Sequence, residues 1–155
     1  MSYKFLLFLH VGGATVLLGT GAGIAFFMVV SNRSGDPRLI AHVASIVVLA
    51  DTLFTATAAV LQPITGFLLA RETGWPLTEG WVLLSLGLYV FTGMFWLPVV
   101  WMQLRMRDLA AAARDAGQPL PAAYRRLYRW WFAFGFPAFA AVLAIVWLML
   151  TKPVF

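Results

Sequence analysis

The strongest constraint on the fold is a set of four long apolar segments that make up most of the chain. The segments are Phe5–Asn32, Leu39–Ala70, Trp81–Leu104 and Trp130–Thr151, and their acidic, basic and histidine side chains are limited to His10, His42 and Asp51. A hydrocarbon core of about 30 Å takes roughly 20 helical residues to cross, so each segment is long enough to span a membrane. The sequence therefore predicts an all-α membrane protein, a bundle of four transmembrane helices.

Composition agrees with a membrane location. The chain is 62% hydrophobic and 11% charged, whereas soluble proteins average about 25% charged residues. Its length of 155 residues suits a single transmembrane domain over residues 1–155. The absence of cysteine excludes disulfides, thiolate metal sites and iron–sulfur clusters. The formal charge of +5 does not indicate nucleic-acid binding, because the arginines concentrate between helices, as expected beside anionic lipid.

The helices are predicted over about residues 4–30, 38–70, 81–107 and 122–150, with an Arg-rich cytoplasmic loop over about 105–129. Pro63 predicts a kink or a broken turn late in the second helix, because proline lacks a backbone donor. The first and third loops together carry eight basic residues, and the opposite side carries three. The positive-inside rule then places both termini outside, in the periplasm, for a multi-pass protein of the bacterial inner membrane.

Polar side chains fall on one face of each of two helices. Asp51, Thr55 and Gln62 share a narrow face of the second helix at 100° per residue, and His42 lies on the opposite face. The third helix has its own polar row, formed by Ser85, Tyr89, Thr92, Trp96 and Gln103. Because lipid-facing surfaces rarely carry such rows, we expect both to face the interior of the bundle.

Asp51 is a functional candidate, because charge within the membrane is expensive. One interpretation makes it a proton relay or cation site, with Gln62 and Tyr89 as further candidate catalytic residues. The other makes it a neutral, protonated carboxyl that is hydrogen-bonded to a hydroxyl of the third helix.

His10 is the second functional candidate. It shares the depth of Gln62, Tyr89 and Trp147, so we expect it to project into a pocket near the outer surface beside Gln62 and Trp147. Neutral imidazole is a common iron ligand, which makes His10 a candidate metal or haem ligand. The alternatives are proton transfer and an interhelical hydrogen bond to Gln62 or Tyr89. The opposite face of the first helix is expected to be a close packing seam, formed by Gly12, Gly19 and Gly23.

Four stretches of the sequence resemble a known family. They are Lys4–Gly13, Ala50–Phe54, Leu61–Gly66 and Trp96–Arg107. They look like a bacterial family of predicted integral membrane proteins of unknown function, and the resemblance covers essentially the whole chain. That family is loosely similar to the CopD-like copper proteins and the HemJ-type protoporphyrinogen oxidases, small helical bundles with a histidine near the start of the first helix.

The HemJ-type resemblance implies haem b as a cofactor, with His10 in the place of the histidine ligand. The remaining cofactor-binding candidates are Gln62, Trp96 and Trp147. Because this sequence has no second histidine at the depth of His10, the resemblance leaves Met149, water or a group from a second subunit for the other axial position.

Two hypotheses about function follow. The first is a haem b- or quinone-linked redox protein, a membrane oxidoreductase with His10 as ligand and the Asp51–Thr55–Gln62 stripe moving protons. The second is a non-enzymatic membrane subunit or small transporter, in which the same stripe lines a cavity or seals a partner interface. The lipid bilayer is the expected environment, and a second copy of the chain or a membrane redox partner is the expected partner.

Overall fold

The computed structural model describes residues 2–154, whose regular structure is entirely helical. The bounds are α1 (Tyr3–Ser34), α2 (Pro37–Ala50), a π-helical turn (Asp51–Thr55), α3 (Ala56–Thr73), α4 (Gly80–Asp115) and α5 (Ala122–Thr151). The π-helical turn joins α2 and α3 into one continuous helix, so four helical units are long and apolar enough to cross a membrane. The predicted four-helix membrane fold is confirmed.

Glycines in the left-handed conformation end two of the helices. Gly35 follows α1 with φ of 66° and Gly74 follows α3 with φ of 75°, a region in which other residues are strained. Asp36 then caps α2, because its carboxylate accepts a hydrogen bond from the backbone N–H of Arg38. α1 therefore continues beyond residue 30, and its connection to α2 is reduced to Gly35 and Asp36.

Most of the predicted Arg-rich loop is helical. α4 continues to Asp115, and the chain turns through Gly117, which has a φ of 63°, before α5 begins. The arginines of this segment consequently lie on the ends of α4 and α5. We call the end of the bundle that contains Gly35 and Gly117 the Arg-rich end, and the opposite end the termini end.

The packed core lies towards the Arg-rich end. It is formed by Ile24, Met28, Ile40, Ala41, Ala44, Val47, Met102, Met106, Ala110, Tyr124 and Trp131, which come from α1, α2, α4 and α5. Towards the termini end, α1 packs on α3 and α4 packs on α5, whereas α3 has no extensive packing against α4 or α5 within the described residues. The bundle is therefore joined firmly at one end and divides into two helix pairs at the other.

Candidate functional site

The π-helical turn decides where the polar side chains of the second membrane helix point. In this turn the backbone N–H of Ala56 donates to the carbonyl of Asp51, five residues earlier. A π-helical turn holds more residues than an α-helical one, so the residues after it are rotated relative to those before it. The predicted single stripe is therefore divided, because Asp51 contacts α4 whereas Gln62 contacts α1.

Asp51 lies at the centre of one polar group, the Asp51 cluster, which consists of Asp51, Trp96, Gln103 and Trp131. Trp96 Nε1 donates to Asp51 Oδ1 at 3.3 Å. When the Gln103 amide is oriented to satisfy both of its neighbours, its nitrogen donates to Asp51 Oδ2 at 3.0 Å and its oxygen accepts from Trp131 Nε1 at 3.3 Å. The cluster links the π-helical turn to α4 and α5.

The Asp51 cluster contains no basic side chain. Asp51 is only 4% exposed, and ion pairs in the described part of the chain are limited to Arg107–Asp108 and Arg114–Asp115 on α4. The hydroxyl of Thr55, at the end of the same π-helical turn, is also buried. A carboxyl that is held by neutral donors has the chemistry to take up and release a proton without breaking a salt bridge.

His10 belongs to a second polar group, the His10 cluster, in which α1 meets α3. His10 Nδ1 lies 2.8 Å from Thr65 Oγ1, and that hydroxyl lies 2.7 Å from the carbonyl oxygen of Leu61. A hydroxyl has one hydrogen to donate, so both contacts are hydrogen bonds when Thr65 donates to Leu61 and His10 donates to Thr65. The proton of the neutral ring is then on Nδ1, and Nε2 keeps a free lone pair.

Gln62 completes the His10 cluster through the backbone. Its amide nitrogen donates to the carbonyl oxygen of His10 at 2.8 Å. Two glycines permit this close approach, because a Cβ on Gly13 would lie 2.5 Å from Gln62 Nε2 and one on Gly66 would lie 3.2 Å from His10 Cε1. The expected position of His10 beside Gln62 is thus found, but His10 lies in the close α1–α3 contact rather than opposite it.

The predicted glycine seam on α1 is wrong. Within the described part of the chain, a Cβ at Gly12, Gly19 or Gly23 would meet no atom of another helix within 4 Å. The sequence shows which residues of α1 are small. It does not show which of them α3 packs against, because the π-helical turn decides that.

Tyr89 and Trp147 are not joined to His10. The hydroxyl of Tyr89 donates to the carbonyl oxygen of Ala59 at 2.6 Å, which places it between the Asp51 and His10 clusters and in neither. Trp147 is 66% exposed on α5, so it does not close a pocket over His10. The shared depth of Trp147 and His10 predicted their proximity, but depth does not determine which face of α5 turns inwards. His42 is exposed on α2, as its helical phase predicts.

Sequence reasoning missed two members of the Asp51 cluster as partners of Asp51. Gln103 belongs to the polar row of α4, two helical turns after Trp96. That spacing places the two side chains on one face of the helix, and it is the signal that could have identified Gln103 as a partner of Asp51. Trp131 lies in the fourth predicted helix, outside both predicted polar rows, and it is buried.

His10 has no companions that would make a metal site from protein ligands alone. Among residues 2–154, no three His, Cys, Asp or Glu side chains converge to hold a metal ion. Gln62 and Trp96, two of the cofactor-binding candidates, are hydrogen-bonded to the His10 backbone and to Asp51. The His10 cluster thus offers one nitrogen lone pair, on His10 Nε2.

Comparison with known proteins supports the membrane assignment at the level of family. No curated protein and no solved structure matches the chain. The similarity to the CopD-like and HemJ-type proteins stays a prediction. A family model described as predicted integral membrane protein, DUF2269, matches residues 4–153, nearly the whole sequence. The chain therefore belongs to the DUF2269 family of integral membrane proteins, whose function is unknown.

Proposed function

We propose that this protein is a membrane redox protein in which His10 Nε2 binds the iron of haem b. The observation that carries the proposal is the contact between His10 Nδ1 and Thr65 Oγ1 at 2.8 Å, which leaves Nε2 free. Histidines that ligate metals usually donate their other ring N–H to an oxygen, which fixes the tautomer and the orientation of the ring. When bound, a haem would supply one-electron transfer.

One chain would supply His10 as the protein ligand of the iron. His42, the second histidine, is exposed on α2 towards the Arg-rich end, whereas His10 lies near the start of α1 at the termini end. Thr65 and Gln62 would orient His10, the first through the ring and the second through the backbone. The second axial position would be taken by Met149, by water or by a second copy of the chain.

A visible absorption spectrum of the purified protein tests this proposal. We expect a Soret band that shifts when dithionite is added, because reduction changes the electronic state of the iron. His10→Ala should lose the band and His42→Ala should keep it, which makes the second histidine the matched control. An unaltered Soret band in His10→Ala, or a colourless wild-type protein from haem-replete cells, would contradict haem ligation by His10.

The Asp51 cluster favours a second candidate function, a proton-coupled membrane subunit or small transporter. Its buried carboxyl has neutral partners only and lies where the π-helical turn, α4 and α5 meet. The cluster is separate from His10, so the two candidates can be tested independently. In proteoliposomes with an imposed membrane potential, wild type should take up protons, Asp51→Asn should not, and His10→Ala should behave as wild type. Equal uptake by wild type and Asp51→Asn would exclude Asp51 as the proton carrier.

A further inference from the structure

We propose that the Arg-rich end carries a binding site for the headgroup of an anionic phospholipid. The headgroup site is a cavity of about 460 Å³ that is lined by Asn32, Arg125, Tyr128 and Arg129. Neither proposed function uses these residues, and the site lies at the opposite end of the bundle from His10.

The headgroup site lies between the ends of two membrane-crossing helices. Asn32 is in the last turns of α1, where Arg33 follows it, and Arg125 and Arg129 are near the start of α5. Residues four apart in a helix share a face, so Arg125 and Arg129 project to the same side. Because both helices end here, the cavity is at the membrane boundary, the level at which phospholipid headgroups lie.

No acidic side chain among residues 2–154 forms an ion pair with the arginines of the headgroup site. The acidic residues that form ion pairs in the described structure are Asp108 and Asp115, and both bind arginines of α4. Arg125 donates one hydrogen bond to the backbone carbonyl of Leu120 at 2.9 Å, which leaves its charge uncompensated. Like charges four residues apart on a helix repel one another, and an anion between them would remove that cost.

The side chains suit a phosphate diester. Guanidinium groups donate paired hydrogen bonds to phosphate oxygens, and such charge-assisted bonds are about twice as strong as neutral ones. Asn32 and Tyr128 add a neutral amide and a hydroxyl, which can bind the ester oxygens or the polar part of the headgroup. The composition of the cavity thus matches a phosphate that carries organic substituents.

Apolar surface beside the cavity favours a phospholipid over a soluble phosphate. The ring of Tyr128 stacks against Trp131 and Phe132, with centroid distances of 5.8 and 6.3 Å. Trp130 next to them is 58% exposed, although its large ring is apolar. The exposed rings, Trp130 and Phe132, lie on α5 beside Tyr128 and would contact acyl chains there, whereas Trp131 is buried in the bundle. A free phosphate ion would use the arginines and leave this surface uncovered.

Native mass spectrometry in detergent tests the headgroup site. Purified protein is mixed with equal amounts of phosphatidylglycerol and phosphatidylcholine, and we expect the anionic lipid to be retained preferentially. Arg129→Gln should weaken phosphatidylglycerol binding roughly tenfold, the effect of losing one charge-assisted hydrogen bond. Arg126→Gln is the matched control, because it removes the same charge from an exposed neighbour that does not line the cavity. Its binding should equal that of wild type.

Each other outcome would overturn the proposal. Equal losses in Arg126→Gln and Arg129→Gln would mean that diffuse surface charge attracts the lipid. Displacement of phosphatidylglycerol by millimolar glycerol phosphate would assign the cavity to a soluble phosphate compound. If wild type retained the two lipids equally, the site would not select an anionic headgroup. An acidic segment of a partner protein would then replace the lipid as the candidate ligand of these arginines.

Discussion

Tyr89 donates a hydrogen bond of 2.6 Å to the carbonyl oxygen of Ala59, which stands four residues before Pro63. In a regular α-helix this carbonyl would accept the backbone N–H of residue 63, which proline lacks. The hydrocarbon core of a membrane has no bulk water to supply another donor, so a neighbouring helix commonly provides one. The hydroxyl of Tyr89 therefore satisfies the acceptor that Pro63 leaves free, and α3 runs without a break from Ala56 to Thr73. Of the two outcomes predicted at Pro63, a kink or a broken turn, the broken turn is therefore not found.

The pairing of Tyr89 with Ala59 can be tested by a double-mutant cycle. Tyr89→Phe should lower the free energy of unfolding by about 1 kcal/mol, because it removes one interhelical hydrogen bond and leaves the part-buried carbonyl of Ala59 without a donor. In a Pro63→Ala background the same change should cost less, since residue 63 then supplies the N–H. Unfolding titrations in mixed detergent micelles measure all four proteins. An equal cost in both backgrounds would contradict the compensation.

The close contact between α1 and α3 gives a second prediction. Gly13→Ala should destabilise the protein by about 1 kcal/mol, because the new Cβ displaces the Gln62 amide from the His10 carbonyl. Gly19→Ala is the control on the same helix, where a Cβ meets no neighbouring atom within 4 Å. It should change the free energy of unfolding by less than about 0.5 kcal/mol. A larger effect at Gly19 than at Gly13 would place the contact face of α1 on the opposite side.

The Asp51 cluster predicts that the Gln103 side chain contributes more than one hydrogen bond to the stability of the fold. Gln103→Leu should lower the free energy of unfolding by about 1–3 kcal/mol, since Asp51 Oδ2 loses a donor and Trp131 Nε1 loses its acceptor. The same substitution in a Trp131→Phe background should cost less, because the indole N–H is already absent. Identical costs in the two backgrounds, measured by the same unfolding titration, would show that Gln103 does not bridge Asp51 and Trp131.

Much of the fold was predictable from sequence. A membrane-spanning helix satisfies its backbone hydrogen bonds internally and is recognised in the sequence as a long apolar segment. His10 and Gln62 were correctly expected to be neighbours, since both lie at one depth. The π-helical turn at Asp51–Thr55 was not predictable, because a shift of backbone pairing by one residue leaves no signature in composition or periodicity. That shift turned Gln62 towards α1 and left Asp51 facing α4, which is why one predicted stripe became two clusters.

The orientation of the bundle is a further prediction, because we propose that both termini are outside. The chain has no cysteine, so a single introduced thiol reports without background. Gln118→Cys, at the Arg-rich end, should be protected from a membrane-impermeant thiol reagent in intact cells. Thr78→Cys, in the exposed connection between α3 and α4, should react. Reaction of Gln118→Cys and protection of Thr78→Cys would reverse the proposed topology.

The central claim is that neutral His10 carries its proton on Nδ1 and leaves Nε2 free to bind. Nitrogen-15 NMR of the histidine-labelled apoprotein tests this most directly, with the His42→Ala protein identifying the His10 signals. The account predicts a protonated Nδ1 and an unprotonated Nε2, and Thr65→Val should remove that preference because the hydroxyl acceptor of Nδ1–H is lost. A protonated Nε2 with a bare Nδ1 in the wild-type ring would contradict the proposed ligand.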